Sequence, residues 1–437
     1  MKLQKNITFV LLFFAILLYN FAIGQEEITL SLDKKDGSYE TSQTAIWTLN
    51  FSKNQFLDSV SFTLKKGGLT TLKKGFIYPK NDKASISYHF NAPGAVLLKL
   101  RWRDKHSVEH EITGGAIASP EKIKLSAKAP DDFESFWENQ ITALHQIPKN
   151  TKLKKESIGV KGVKYYKTTL DNINGTKIRG QLARPAKGDK LPALLIVQWA
   201  GVYPLQKDWV IEKAKKGWLV LNINAHDLPI NEESNFYKEQ ANGPLKNYPM
   251  IGNEDKSTSY FLRMYLSCYR AAQYLSERKD WNGETLVVMG TSQGGLQSLM
   301  TAGLHPKISA ALALVPAGFD MKGPSVGRKG GWPQWYDTTE NKNISKVRET
   351  SRYFDVANFI PKIKCPVLVG IGLLDETCPP EGIYAGLNQL TSTKEIVLLP
   401  NSEHQNKNNS QKTYYDKIEG QWLPNLLQGK HPIIEFE

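Results

Sequence analysis

Between about residues 25 and 120, apolar and polar positions alternate over short stretches: ITLSL, AIWTLNF, SVSFTL, ASISYHF and AVLLKLRW. Turns rich in Lys, Gly, Asn and Asp separate them. A period of two is that of a strand with one buried face. Short strands at this spacing predict a small all-β, antiparallel, Ig-like sandwich over residues 25–120. Near residue 120 the pattern changes. PDDFESFW opens a predicted helix, with Asp131 as its expected cap and Glu134 three residues on. Phe133, Phe136, Trp137, Ile141 and Leu144 follow at helical spacing. Beyond residue 165, apolar runs such as PALLIVQWAG, WLVLNINAH, ISAALALVP, CPVLVGIGLLD and EIVLLPNSEH alternate with helical patterns, a long one spanning about residues 257–278. Strands apolar on both faces and joined by helices predict a mostly parallel sheet, so residues 121–437 are read as an α/β domain. The polar stretches 227–255 and 318–350 are read as insertions between its elements.

One apolar run fits neither pattern. Lys2 and Lys5 precede residues 7–23, which are almost wholly apolar, and Ala22-Ile23-Gly24 offers small residues for cleavage. Residues 1–24 therefore read as a secretory signal peptide, with Gln25 at the mature N-terminus. An uncleaved anchor is the alternative, since the run is nearly long enough to span a bilayer. Cleavage would leave a secreted or periplasmic protein with no stable membrane association.

The net charge of +13 does not point to nucleic acid, because the lysines are scattered and no arginine-rich stripe occurs. A solvated basic surface, or attraction to anionic polysaccharide, accounts for it. The three cysteines do not make a disulfide framework. Cys365 and Cys378 flank a predicted strand on the order of 20 Å long, whereas a disulfide needs Cα atoms within about 7 Å. Three free thiols are expected.

The chemistry concentrates in LVVMGTSQGGLQ, residues 286–297. An apolar strand runs into Gly290-Thr291-Ser292-Gln293-Gly294, which fits the G-x-S-x-G nucleophile elbow, and Leu296, Leu299 and Met300 continue at helical spacing. Strand before and helix after are the context that the elbow requires. They predict an α/β-hydrolase fold. Ser292 is the expected nucleophile, and the Gln293 N–H, at a helix start, an expected oxyanion donor. A base and an orienting acid should follow at later strand ends, acid first. Asp375 closes CPVLVGIGLLD, with Glu376 as backup, and His404 follows EIVLLP. The second oxyanion donor is expected after LLIVQ, in Trp199-Ala200-Gly201-Val202-Tyr203, at the N–H of Val202. This chemistry needs no metal or cofactor, and His89, His106 and His110 fit no metal-binding spacing.

From about residue 129 onward the chain resembles the acetyl xylan esterase and cephalosporin C deacetylase family, carbohydrate esterase family seven. PDDFESFW, the GTSQGG elbow and YFDVANFIPKIKCPVLVGIGLLDETCPP, followed by a histidine at matching distance, carry the likeness. The resemblance implies a Ser-Asp-His hydrolase that removes acetyl groups from sugars. By position it assigns those roles to Ser292, Asp375 and His404, with oxyanion amides at Gln293 and near Val202. The chain departs from the family in three places. The family's Arg-Gly-Gln motif is replaced by Ala225-His226-Asp227, its His-Glu pair by His404-Gln405, and its His-Gly-Tyr loop by Ala200-Gly201-Val202. The Arg179-Gly180-Gln181 in an earlier strand is assigned no site role.

Trp199, Trp332 and Trp335 are candidate substrate contacts, each equally able to serve packing alone. The reading is a secreted serine esterase acting on acetylated, xylan-like carbohydrate. A prolyl-oligopeptidase-type peptidase shares the elbow and triad order but usually carries a propeller. A carbohydrate-binding protein with a vestigial hydrolase domain is disfavoured by the intact Ser/Asp/His set. A homo-oligomer is left open.

Overall fold

The computed structural model describes residues 28–52, 59–78, 82–337 and 342–432. The expected signal peptide lies outside the described residues. The five alternating segments form β1 (Ile28–Leu32), β3 (Thr44–Phe51), β4 (Val60–Lys66), β6 (Lys83–His89) and β7 (Gly94–Arg103), and β2 (Ser38–Tyr39), β5 (Thr70–Ile77) and β8 (Glu109–Ala118), which the pattern does not predict, join them. They make two sheets, ordered β1-β3-β6 and β2-β8-β7-β4-β5. Trp47, Leu49, Val60, Leu98 and Leu100 fill the space between them. Every pairing is antiparallel except β2 with β8, a small departure from the all-antiparallel expectation.

The second part is built on a nine-stranded sheet ordered β17-β16-β15-β14-β12-β13-β11-β10-β9. Its strands are β9 (Lys152–Glu156), β10 (Val163–Asp171), β11 (Lys177–Pro185), β12 (Leu191–Ile196), β13 (Leu219–Ile223), β14 (Trp281–Thr291), β15 (Ala310–Leu314), β16 (Val367–Gly372) and β17 (Lys394–Leu399). From β13 through β17 the pairing is parallel, while β9, β10 and β11 form an antiparallel flank. The apolar runs are unbroken because both faces are covered. In β13, Leu219 and Leu221 face one core and Val220 the other; in β15, Ala311 and Ala313 oppose Leu312 and Leu314.

Helices α1 (Phe133–His145), α2 (Asp208–Lys215), α3 (Ser234–Asn242), α4 (Tyr260–Ser276), α5 (Gln293–Leu304), α6 (Ile344–Phe354), α7 (Pro380–Leu387), α8 (Lys412–Lys417) and α9 (Leu423–Leu427) complete the fold. At α1 the N-cap is Asp132 rather than Asp131, and its side chain makes no capping bond. The carboxylate is instead engaged by Lys256, at 2.5 Å, and by the Tyr353 hydroxyl. An ion pair and a hydroxyl from distant elements therefore displace the local cap. Among the described residues, no helix is long and apolar enough to cross a membrane.

The sandwich is pressed against the turn that follows β16. Ala95 and Ile117 belong to the core of the large sheet. Lys99 pairs with Glu376, and the Glu381 carboxylate, at the start of α7, accepts the Ala95 N–H. The Lys329 N–H donates to Gly67 O at 2.8 Å, and Thr70 Oγ1 to Gly327 O at 2.9 Å. Strand β8 runs between the two bodies. A Cβ on Gly114 would stand 2.7 Å from Trp47 Nε1 inside the sandwich, and one on Gly115 2.8 Å from Leu374 Cδ2 outside it.

Gly115→Val should therefore force Leu373 and Leu374 apart from β8. The expected loss is at least about 2 kcal/mol of unfolding free energy, the scale of core overpacking. Urea unfolding checks it, and an unchanged midpoint would show that the bodies are not tightly docked at β8.

Candidate active site

Strand β14 ends at Thr291 and α5 begins at Gln293, so a single residue makes the reversal. That residue is Ser292, at φ 57° and ψ −117°. L-residues avoid this combination of angles, which glycine alone adopts freely, because the Cβ crowds the backbone. Crowding around the turn explains its glycines. A Cβ on Gly290 would lie 2.5 Å from the Gly294 carbonyl carbon, and one on Gly294 would lie 2.7 Å from Val197 O. The bend turns the Ser292 hydroxyl away from the sheet edge and leaves the Gln293 N–H at the first helical position, where no intrahelical acceptor exists.

The expected partners converge on that hydroxyl. Ser292 Oγ and His404 Nε2 are 2.9 Å apart, and His404 Nδ1 and Asp375 Oδ2 are 2.7 Å apart. Asp375 follows β16 and His404 follows β17, so with Ser292 after β14 all three residues stand at the C-terminal edge of the parallel strands. The second oxygen of Asp375 accepts the N–H groups of Thr377 and Cys378, both at 2.8 Å. The carboxylate is fully buried yet has bonds on both oxygens, so its charge is held in place. The backup acid, Glu376, points away to Lys99.

Ligating atoms of Asp375, Cys378 and His404 lie within 4.8 Å of one another. Burial, followed by the nearby Asp375 charge, holds the Cys378 thiol well above its usual range. A cation here would need a thiolate that the environment disfavours and would compete with the His404–Asp375 bond. Cys268, Cys365 and Cys378 are free and buried, in line with the three free thiols expected.

Over Ser292 opens a cleft of about 430 Å³, lined by Trp199, Ala200, Trp332, Thr377, Gln405 and Tyr415, among others. Trp199 is 43% exposed and stacks on Tyr203, with ring centroids 5.2 Å apart. Trp332 also lines the cleft, its main-chain N–H bonded to Thr377 O at 2.8 Å. Trp335 is corrected as a substrate contact. It is fully buried, its Nε1 donates to Pro249 O at 3.1 Å, and its ring lies 5.1 Å from that of Phe261. Its part of the insertion packs onto the body of the protein.

Val202 sits in the loop after β12, behind Ala200. Gly201 just before it has φ 132°, a turn that only glycine makes freely. Arg179 lies outside the cleft lining, its Nε bonded to Asp227 Oδ1 at 2.8 Å. Tyr415 at the rim and Tyr248 behind Gln293 carry no sequence signature. Their positions come from chain segments far from the elbow.

The acetyl xylan esterase family model matches residues 121–422. The chain is 30% identical over 380 residues to the acetyl esterase Axe7A of Xylanibacter ruminicola, covering 84% of each. Among solved structures it is similar to an acetyl xylan esterase from Paenibacillus sp. R4. That likeness has a TM-score of 0.59 and 24% identity, over 69% of this chain and 98% of that one. It is also similar to acetyl xylan esterase 1 from Thermoanaerobacterium sp. JW/SL YS485, with a TM-score of 0.60 and 19% identity, over 71% and 97% of the two chains. These likenesses show the α/β-hydrolase fold.

Two substitutions separate the cleft from its surroundings. Ser292→Ala should cut 4-nitrophenyl acetate hydrolysis at least about a thousandfold with the fold intact; turnover near wild type in steady-state assays would rule Ser292 out as nucleophile. Arg179→Ala should leave the same rate within about threefold, since a partly exposed ion pair contributes little. Collapse of activity in a folded Arg179 variant would place that residue in the site.

Proposed function

The chain belongs to the acetyl xylan esterase family, and on that premise we propose that it removes acetyl groups from acetylated, xylan-like carbohydrate through an acyl-enzyme on Ser292. It is a carboxylic-ester hydrolase. The observation that carries the mechanism is the unbroken line from Ser292 Oγ through His404 to buried Asp375. His404 Nε2 takes the Ser292 proton as Oγ bonds to the acetyl carbonyl carbon. Collapse of the tetrahedral adduct breaks the bond to the sugar oxygen, which receives that proton from His404. Water, deprotonated by His404, then attacks the acetyl-serine, and the second adduct breaks its bond to Oγ, which takes the proton back from His404 as acetate leaves. Asp375 keeps the Nδ1–H tautomer and stabilises the imidazolium. The Gln293 and Val202 N–H groups hold the oxyanion.

Trp199 and Trp332 flank the nucleophile, and their faces suit a sugar ring stacked over it. We further read residues 25–120 as an accessory β domain, residues 121–437 as the catalytic domain, and residues 1–24 as a signal peptide that delivers the protein to the periplasm or beyond. Polymeric acetylated carbohydrate is met outside the cytoplasm, which agrees with such a leader.

Acetate release from acetylated xylan, run beside 4-nitrophenyl esters of increasing chain length and dipeptidyl amides, tests the reading. Acetyl should be preferred, propionyl weaker and longer chains poor, because in a small acyl pocket walled by Trp199 an added methylene either stays unburied, without the about 0.8 kcal/mol that burial contributes, or overlaps the rigid wall. Trp199→Ala should widen tolerance toward butyryl esters. Preference for octanoyl esters, or faster cleavage of dipeptidyl amides, would contradict a deacetylase and favour a lipase-like or peptidase activity.

A further inference from the structure

The family's Arg-Gly-Gln motif is replaced here by Ala225-His226-Asp227, and His226 lies directly behind the oxyanion loop. Its side chain is buried, with Nε2 3.0 Å from Gly201 O and Nδ1 2.6 Å from the Tyr260 hydroxyl. Arg263 Nη2 sits 2.7 Å from that same hydroxyl. Only one proton arrangement satisfies the chain. A guanidinium can only donate, so the Tyr260 oxygen accepts from Arg263 and gives its own proton to Nδ1. A carbonyl can only accept, so His226 donates from Nε2 to Gly201 O. The ring is therefore neutral, and burial, which lowers its pKa to about 4, keeps it so.

The Gly201 C=O and the Val202 N–H belong to one planar trans peptide, so anchoring one aims the other in the opposite direction. With glycine at 201 there is little steric barrier to rotating that plane. Tyr248 completes the clamp. Its hydroxyl donates to Gln293 Oε1 at 2.5 Å and faces the Gly201 N–H, and its ring packs edge-on against His226 at 4.7 Å. Thus both segments assigned to the oxyanion hole are tied to one buried aromatic cluster.

We propose that His226 and Tyr248 are positioning residues that lock the Gly201–Val202 peptide and Gln293 in the orientation that binds the oxyanion. The proposal rests on the assignment of the Val202 N–H as second donor. A misaimed donor weakens the transition state and leaves ground-state binding alone. His226→Phe, which keeps ring volume and removes the donor, should lower kcat for 4-nitrophenyl acetate by about 30- to 300-fold, within the range for a lost oxyanion donor. KM should change less than about threefold. Affinity for phenylboronic acid, which forms a tetrahedral adduct on the serine, should fall in parallel with kcat. His226→Gln, which can present an N–H near the Nε2 position, should recover kcat to within about tenfold of wild type. Tyr248→Phe, which removes only a hydroxyl, should lower kcat about tenfold with KM unchanged, and it carries the test if His226→Phe does not fold.

Val202→Pro removes the donor itself and tests the underlying assignment separately. A folded Val202→Pro enzyme with wild-type kcat overturns the assignment and the inference with it. An inactive, folded Val202→Pro beside His226→Phe and Tyr248→Phe enzymes with kcat within threefold of wild type overturns the positioning role alone.

Discussion

The backbone of Ser292 bends where an L-residue resists bending, and the site is organised around that bend. The strain persists because the neighbours leave no relaxed alternative. Gly290 and Gly294 meet across the turn with no room for a Cβ, and Gly294 lies against the chain just after β12. The Ser292 N–H bonds to Leu314 O, and its C=O accepts from Ala317 and Leu296. Strand β14 is thus held on β15 and α5 is fixed to its end. The hydroxyl and the first helical amide then emerge together, at the edge where β12, β16 and β17 also end. One constraint thus presents both the hydroxyl proposed as nucleophile and the amide proposed as oxyanion donor.

The remaining groups are held by the packing of distant segments. Asp375 is fixed by two amides of its own turn, and that turn is wedged against the β-sandwich through Leu373, Leu374, Glu376 and Glu381. On the other wall, the sandwich loop at Gly67 and Thr70 seats the segment that leads to Trp332. The N-terminal sheets therefore bear on the acid side of the site and on one wall of the cleft. This contact joins the two bodies mechanically, unlike a module carried on a free linker.

Much of this was legible in the sequence, for a physical reason. Parallel strands buried on both faces must be apolar throughout, and the tight elbow turn requires small residues, so the mostly parallel sheet could be expected from the pattern, and the three residues picked for their places at strand ends lie within hydrogen-bond distance in a line. The misses share a cause of their own. Strand β5 escapes the pattern because its residues are mostly exposed, and β8 because Gly114 and Gly115 weaken a strand signal, at positions where Trp47 and Leu374 leave no room for a Cβ. The α1 cap fell one residue off because Asp132 is engaged by Lys256 and Tyr353, more than a hundred residues away. Trp335 resembled Trp332 in the same aromatic run, and only the fold separates a buried ring from one lining the cleft. His226 stood out as a departure from the family motif, but its partners Gly201 and Tyr260 come from other loops.

The central claim is that Ser292 carries the acetyl group between the two halves of the reaction. Mixing enzyme with 4-nitrophenyl acetate, quenching in acid on the millisecond scale and mapping the acetylated peptide by mass spectrometry tests it most directly. The account predicts one acetyl group per chain, on the peptide containing Ser292, formed in step with the first turnover. Acetyl on another residue, or turnover with no acetylated intermediate even when hydrolysis is slowed, would contradict it.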